Sequence, residues 1–325
     1  MKNIAIVCGG YSGEYQISVQ SAEMVKKNLD NNKYKTYIIF IEKDQWYFKN
    51  VDNIHHKIDK SDFSLKLDSD IIKFDGVFNA IHGTPGEDGK LLGYFDLLSI
   101  PYTCCNMDTS ALTFNKYLCN SFVRSIGIKV AQSFSFLEGE FINKDLVLDS
   151  LGLPVFIKPV RSGSSVGISK VTAVDDFDLA VTKAFKTDNR ILIEETIIGR
   201  EIACGLFLKN KELNIFPLTE IISKNDFFDY EAKYTAGLAE KITPPHNLDI
   251  EQETDIKAIS SLLYNKLDCK GVVRIDYILT ESELYFIEIN TIPGFSQASI
   301  IPRQAKAMGI PISAVFNTIV ENMFE

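Results

Sequence analysis

The segment Gly271 to Gly294, GVVRIDYILTESELYFIEINTIPG, constrains this chain more than any other. Two apolar runs flank a polar turn around Glu281 and Ser282, the pattern of an antiparallel hairpin. Strand side chains alternate faces, so Arg274 and Asp276 share one face, and so do Glu288 and Asn290. If the runs pair as neighbours, one sheet face carries two carboxylates, an amide oxygen and a guanidinium among Val, Ile, Tyr and Phe. Carboxylates crowded on a half-buried face repel each other and lose hydration, which is costly without a cation. An all-oxygen donor set of this kind suits Mg²⁺, with substrate phosphates completing its shell. The plain alternative is an exposed polar face whose acids are incidental.

The first third of the chain alternates strand and helix patterns. IAIVC (4–8) ends in Gly9–Gly10, a helical stretch runs over about 18–29, and YKTYIIFIE reads as a strand. DGVFNAIHG is a further strand, leading through a Gly-rich loop into the helix LLGYFDLLS. This order predicts a parallel sheet with helices on its faces, whose ligands sit beyond the strands' carboxyl ends at Gly9–Gly10 and His82–Gly83. Asp108 is the expected N-cap of a helix that closes at Gly127. A smaller unit to about 194 holds the strands PVFIKP, ISKVTAV and RILIEE and a helix over DDFDLAVTKAFK. The remainder reads as strand-rich and ends in the amphipathic helix PISAVFNTIVENMF. It is interrupted by SKNDFFDYEAKYTAGLAEKITPP, a stretch of the length and polarity of a lid.

Lys158 ends an apolar strand before the Gly/Ser loop VRSGSSVG. That order puts an ammonium and several backbone N–H groups near one point, a cradle for phosphate oxygens; a surface Lys beside a flexible turn is the alternative. GSSVG matches G-x-S-x-G, but a nucleophile elbow needs a helix after the Ser, and ISKVTAV is strand-like. CGGYSG lacks the first Gly of a dinucleotide fingerprint. Glu14 follows it near a helix start, placed either to complement the dipole or to hold a cationic amine. In ILIEETIIGRE, Ile197 can offer backbone groups to an adenine edge and Glu201 can accept from ribose hydroxyls; paired exposed acids are the simpler reading of Glu194 and Glu195.

With 325 residues, 46% hydrophobic and 24% charged, the chain has room for two or three domains. Its net charge of −9 argues against a general nucleic-acid surface. The start MKNIAIVCGG does not read as a signal peptide, and no run approaches a membrane span. Six scattered Cys without CxxC spacing read as packing thiols of a reduced, cytoplasmic chain rather than a disulfide or zinc framework.

Together the segments GGYSGEYQIS, NAIHGTPGEDG, FNK, VFIKPVRSGSSVG, ILIEETIIGRE, FFDYEAKY, RIDY and FIEINTIPGFSQASIIP resemble the D-alanine–D-alanine ligases of the ATP-grasp superfamily, in family order from residue 9 to residue 302. The resemblance implies an α/β (α+β) ATP-grasp fold of three domains: 1–105, substrate-binding; 106–194, central; and 195–325, with a lid over about 223–245. The nucleotide would lie between the latter two. It implies ATP-dependent formation of D-alanyl-D-alanine through an acyl phosphate, for peptidoglycan precursor synthesis, with two Mg²⁺ ions (Mn²⁺ as a substitute) and a homodimer. Carried over residue by residue, Lys116, Lys158 and Lys233 resemble phosphate-binding lysines, with Ser164 in the phosphate loop. Glu194, Glu195, Ile197 and Glu201 fall along the adenosine site. Asp276, Glu288 and Asn290 match the metal ligands. Glu14 matches the group that holds the first substrate's ammonium, in a hydrogen-bonded set with Ser164 and Tyr234. His82 falls near that substrate's carboxylate. Arg274 and the Gly294 N–H match donors to the tetrahedral intermediate, and Ser299 matches the hydroxyl for the second substrate.

Gln16, Ser162, Glu195 and Ala298 depart from common family residues without removing a catalytic group. The alternatives are a D-alanine–D-lactate or D-alanine–D-serine ligase, another ATP-grasp amino-acid ligase, or a nucleotide-binding module without turnover. Tyr234 resembles the dipeptide-forming enzymes. A binding module has no need of the oxyanion donor Arg274.

Overall fold

The computed structural model describes residues 1–223 and 239–325. Its three sheets follow one another along the chain. The first contains β1 (Lys2–Gly9), β2 (Tyr34–Ile41), β3 (Trp46–Lys49), β4 (His55–Asp59), β5 (Ser64–Leu67), β6 (Asp70–Ile72) and β7 (Gly76–Asn79), with helices α1 (Tyr15–Asn28) and α2 (Lys90–Leu97). Only β2, β1 and β7 run parallel; β3 to β6 add an antiparallel meander at one edge. The expected parallel sheet is therefore three of the seven observed strands. The meander strands are short and polar on one side, and they are held by Ile58, Phe63 and Leu65 in a shared core. Because β1 lies between β2 and β7, the chain leaves it in opposite directions. The crevice of such a switch point opens beyond the strand ends, at Gly10 and Ile81–Gly83.

Helices α3 (Met107–Phe114) and α4 (Lys116–Ser125) follow. The expected cap Asp108 is corrected: Asn106 caps α3 by accepting from Thr109 N at 2.8 Å, and Asp108 sits in the first turn. The single expected helix is two, because extended Asn115 breaks it and caps α4 through Leu118 N. Lys116 is thereby the first residue of a helix. The second sheet consists of β8 (Ser133–Leu137), β9 (Val155–Pro159), β10 (Ser169–Val171) and β11 (Arg190–Glu195), in the order β10-β9-β11-β8. Helices α5 (Lys144–Leu151) and α6 (Phe177–Phe185) cover one face through Val155, Ile157, Ile191 and Ile193. Lys158 and Glu194 lie on the opposite face, as the register Lys158↔Leu192 requires.

The third sheet, β15-β14-β12-β16-β17, joins β12 (Arg200–Lys209), β14 (Thr219–Ser223), β15 (Ala239–Ile242), β16 (Val272–Leu279) and β17 (Leu284–Asn290); β13 (Glu212–Ile215) also pairs with β12. Helix α7 (Ile250–Lys266) and residues Cys119 and Val123 of α4 pack on one face with Val273, Ile275 and Tyr277. Helices α8 (Ile300–Ala307) and α9 (Ile312–Asn322) complete the chain, with α9 packed against the first sheet's core. All six cysteines are buried and unbridged.

β16 and β17 pair antiparallel, with Arg274↔Asn290 and Asp276↔Glu288 opposite each other. The register then slips, so that Tyr277 faces Phe286 and Ile287 is the extra residue of a β-bulge. Strict alternation puts Phe286 on the face of Glu288. The bulge reverses the alternation, so Phe286 and Ile289, three apart, both enter the core while Glu288 and Asn290 keep the other face. Deleting Ile287 should therefore abolish folding or turnover, because one of the two sets must leave its face. Ile287→Ala should retain both. Thermal unfolding and ADP release of the two variants check this; a folded, active deletion would contradict it.

Candidate active site

The third sheet's polar face, the β1 and β7 ends and the loop after β9 meet around a cavity of about 330 Å³, in the size range of ligand pockets. Glu14, His82, Lys116, Ser164, Arg274, Glu288, Asn290, Gly294 and Ser299 line it. Each of these was nominated from sequence.

Arg274 binds the Asp276 carboxylate with both prongs, Nε to Oδ1 at 2.8 Å and Nη2 to Oδ2 at 2.7 Å. Asn290 Nδ2 donates to Asp276 Oδ2 at 3.1 Å. Burial alone pulls the Arg274 guanidinium toward deprotonation; the Asp276 carboxylate outweighs it and holds the pKa above its usual value. Glu288 lies 3.4 Å from Lys116 Nζ. This donor set fits Mg²⁺. Two carboxylates and an amide share one face, all hard oxygen ligands, with cations already balancing them. Among the described residues no three His, Cys, Asp or Glu side chains converge on a metal-sized point. The set therefore suits an ion that shares its shell with phosphate, and not one caged by protein alone.

The loop after β9 adds Ser162, Gly163 and Ser164 to the lining. Ser164 and Ser165 have φ of 48° and 59°, a left-handed pair that turns the chain back on itself, with Val166 N donating to Gly163 O and Ile168 N to Ser165 O. Lys116 Nζ donates to Ser162 O at 2.9 Å. Ser164 Oγ donates to Glu14 Oε1. Gly163 comes so close that a Cβ would sit 2.6 Å from Glu14 Oε2, so a side chain there would push the Glu14 carboxylate aside. A strand, β10, follows the loop, as expected when the hydrolase elbow was set aside.

The remaining nominees lie off this lining. Lys158 pairs with Glu194, which also accepts from Asn120 Nδ2 at 3.0 Å. Glu195 Oε1 accepts from Gln132 N at 2.7 Å and faces a separate shallow depression with Arg124 and Tyr285. Ile197 is half-buried, and Glu201 lies on β12 opposite Ile278. Lys233 and Tyr234 lie outside the described residues, as does most of the expected lid.

Sequence reasoning missed Glu87, which lines the cavity and is 9% exposed. It lies inside the segment HGTPGEDG, yet a loop has no periodicity from which burial can be read. Gly83 N donates to its Oε2 at 2.6 Å. Burial, then the nearby Glu14 carboxylate, push its pKa up to about 8, so it is mostly protonated at neutral pH. His82 is 4% exposed. Burial holds its imidazole below its ordinary value and hence neutral. Folded Glu87 binds its proton more tightly than the unfolded chain does. Its contribution to stability is therefore present below the usual carboxylate value of 4.5 and is lost as pH rises toward 8. Glu87→Gln should gain thermal stability relative to the wild type between about pH 5 and about pH 8.5. Calorimetry across that range checks this; a pH-independent difference would contradict the buried, protonated acid.

Models described as D-ala D-ala ligase N-terminus and D-ala D-ala ligase C-terminus match residues 3–105 and 122–321. A curated D-alanine–D-alanine ligase of Flavobacterium johnsoniae is 43% identical over 321 residues, covering 99% of both chains. Among solved structures, D-alanyl-alanine synthetase A of Vibrio cholerae superposes with a TM-score of 0.90 at 26% identity, covering 100% of this chain and 99% of that one. A D-Ala:D-Ser ligase of Enterococcus faecalis superposes with a TM-score of 0.85 at 34% identity, covering 99% of each. With both halves matched, relatives aligned end to end and the three-sheet fold shared, the chain belongs to the D-alanine–D-alanine ligase family.

Proposed function

We propose that the cleft joins two D-alanines through an acyl phosphate, with its side chains in the roles that follow. The activity is that of the family: ATP-dependent ligation of D-alanine to D-alanine, supplying a peptidoglycan precursor. The observation that carries the reading is the convergence of the Arg274–Asp276 and Glu288–Asn290 face with Glu14, His82 and Gly294 in one cavity.

The Glu14 carboxylate, steadied by Ser164, receives the ammonium of the first D-alanine. The carboxylate of that substrate attacks the γ-phosphorus of ATP, forming the acyl phosphate and ADP. The amine of the second D-alanine, placed by Ser299, then attacks the acyl carbon; phosphate departs and the amine loses a proton. Arg274 and the Gly294 N–H stabilise the tetrahedral oxyanion, and each such donor is worth about 10²–10³ in rate. Lys116 and Lys158 hold phosphates. Glu194, Glu195, Ile197 and Glu201 border the adenosine, between the proposed domains 106–194 and 195–325. Asp276, Glu288 and Asn290 would hold Mg²⁺, which supplies positive charge against the phosphoryl oxygens. We place this chemistry in the cytoplasm and in a homodimer, for which light scattering should give twice the 36.5 kDa chain mass; a single-chain mass would contradict it.

A second reading, a D-alanine–D-serine ligase, draws on the 34% identity to the Enterococcus faecalis structure. Incubation with ATP, D-alanine, D-serine and D-lactate at equal concentrations near pH 7 separates them, with products identified by mass. Dominant D-alanyl-D-alanine is expected; a dominant D-serine or D-lactate product would overturn the assignment.

Glu288→Gln keeps the shape of the side chain and removes one charge from the metal face. Turnover should fall about 10²–10³-fold with thermal unfolding unchanged, since Glu288 borders a cavity and not a packed core. Near-normal turnover would remove Glu288 from the ligand set.

A further inference from the structure

Three polar side chains, Ser21, His82 and Glu87, stand around one turn. His82 Nδ1 lies 2.9 Å from Ile292 O. A carbonyl only accepts, so Nδ1 carries the ring proton. The neutral ring then has an acceptor at Nε2, and Ser21 Oγ lies 3.3 Å from it, with its hydroxyl hydrogen as the donor. Ser21 Oγ in turn accepts from Phe295 N at 3.1 Å. On the other side, Glu87 Oε2 accepts from Gly83 N, which holds the loop that carries His82. The backbone of the turn after β17 is thus gripped at the carbonyl of Ile292 and at the N–H of Phe295. Two elements hold it: α1 through Ser21, and the loop after β7 through His82, which Glu87 steadies. Ser21, His82, Glu87, Ile292 and Phe295 are at most 9% exposed. Both ring nitrogens of His82 are used within the protein.

We propose that Ser21, His82 and Glu87 are positioning residues that clasp the Ile292–Phe295 turn and thereby fix the Gly294 N–H for oxyanion binding. The last clause rests on the role assigned to Gly294 above. A polar clasp suits this turn. The turn leaves the third sheet and crosses to the first, where Phe295 packs against Phe78 and Phe316. Apolar packing anchors a side chain but leaves a backbone N–H free to rotate, whereas hydrogen bonds on both sides of Gly294 fix the peptide plane between them. Displacement of a catalytic group by about 1 Å costs about 10²-fold in rate. Ser21 does not line the cavity, so it acts only through the turn.

The test compares Ser21→Ala, Glu87→Gln and Glu87→Ala in the full chain. Kinetics with ATP and D-alanine are read beside amide hydrogen exchange over residues 291–296. Ser21→Ala and Glu87→Ala should lower kcat by about 10- to 100-fold, leave KM for ATP within about twofold, and speed exchange in the turn. Glu87→Gln, which keeps a neutral acceptor of the same shape, should stay within about threefold of the wild type. Faster exchange with unchanged kcat keeps the clasp and removes Gly294 from the oxyanion site, so the two claims fail separately. Exchange in the turn at the wild-type rate in both alanine variants would overturn the clasp. If either alanine variant fails to fold, the other decides.

Discussion

The two-pronged pair between Arg274 and Asp276 is the interaction on which the cleft depends. Their side chains are only 16% and 6% exposed. Removing one partner of such a pair leaves an uncompensated buried charge, costing about 3–5 kcal/mol. The pair fixes Asp276 on a sheet face that it shares with Glu288 and Asn290, while Lys116 lies beside Glu288 from the start of α4. The metal face is therefore tolerable in the folded protein and still rich in oxygen donors. In the proposed reaction, incoming phosphates with their cation would replace part of this internal compensation.

Geometry around that pair follows from how the three sheets meet. The switch point at β1 leaves the ends of β1 and β7 open toward the third sheet, and the turn after β17 crosses to them. Helix α4 lies between the second and third sheets. Cys119 and Val123 join the third sheet's core, and Asn120 reaches Glu194 on the second. Its first residue, Lys116, is consequently delivered to both the loop after β9 and the polar face of β16 and β17. One Asn, residue 115, sets that position by ending one helix and capping the next.

The sequence made the hairpin's polar face legible because strand alternation is a short-range rule, and Arg274, Asp276, Glu288 and Asn290 obey it. The bulge at Ile287 was not legible, since an extra β-branched residue in an apolar run looks like any other. Nine residues of the cleft lining could be named from the sequence, but Glu87 was missed, because its burial arises from loops meeting. The meander from Trp46 to Ile72 was missed for a related reason: its strands are short and polar, and only packing on Phe63 and Leu65 makes them strands. Asn106 against Asp108 is a finer case, in which two good capping residues stood close together and the backbone geometry chose between them.

A crystal structure with ADP and Mn²⁺ standing in for Mg²⁺, with data collected at a wavelength where manganese scatters anomalously, tests the central claim most directly. The account predicts anomalous peaks on the β16–β17 polar face, with oxygens of Asp276, Glu288 and Asn290 at about 2.1 Å and the nucleotide's phosphates completing the shell. Manganese and phosphates bound away from that face, with the Arg274–Asp276 pair intact and no metal beside Glu288, would contradict it.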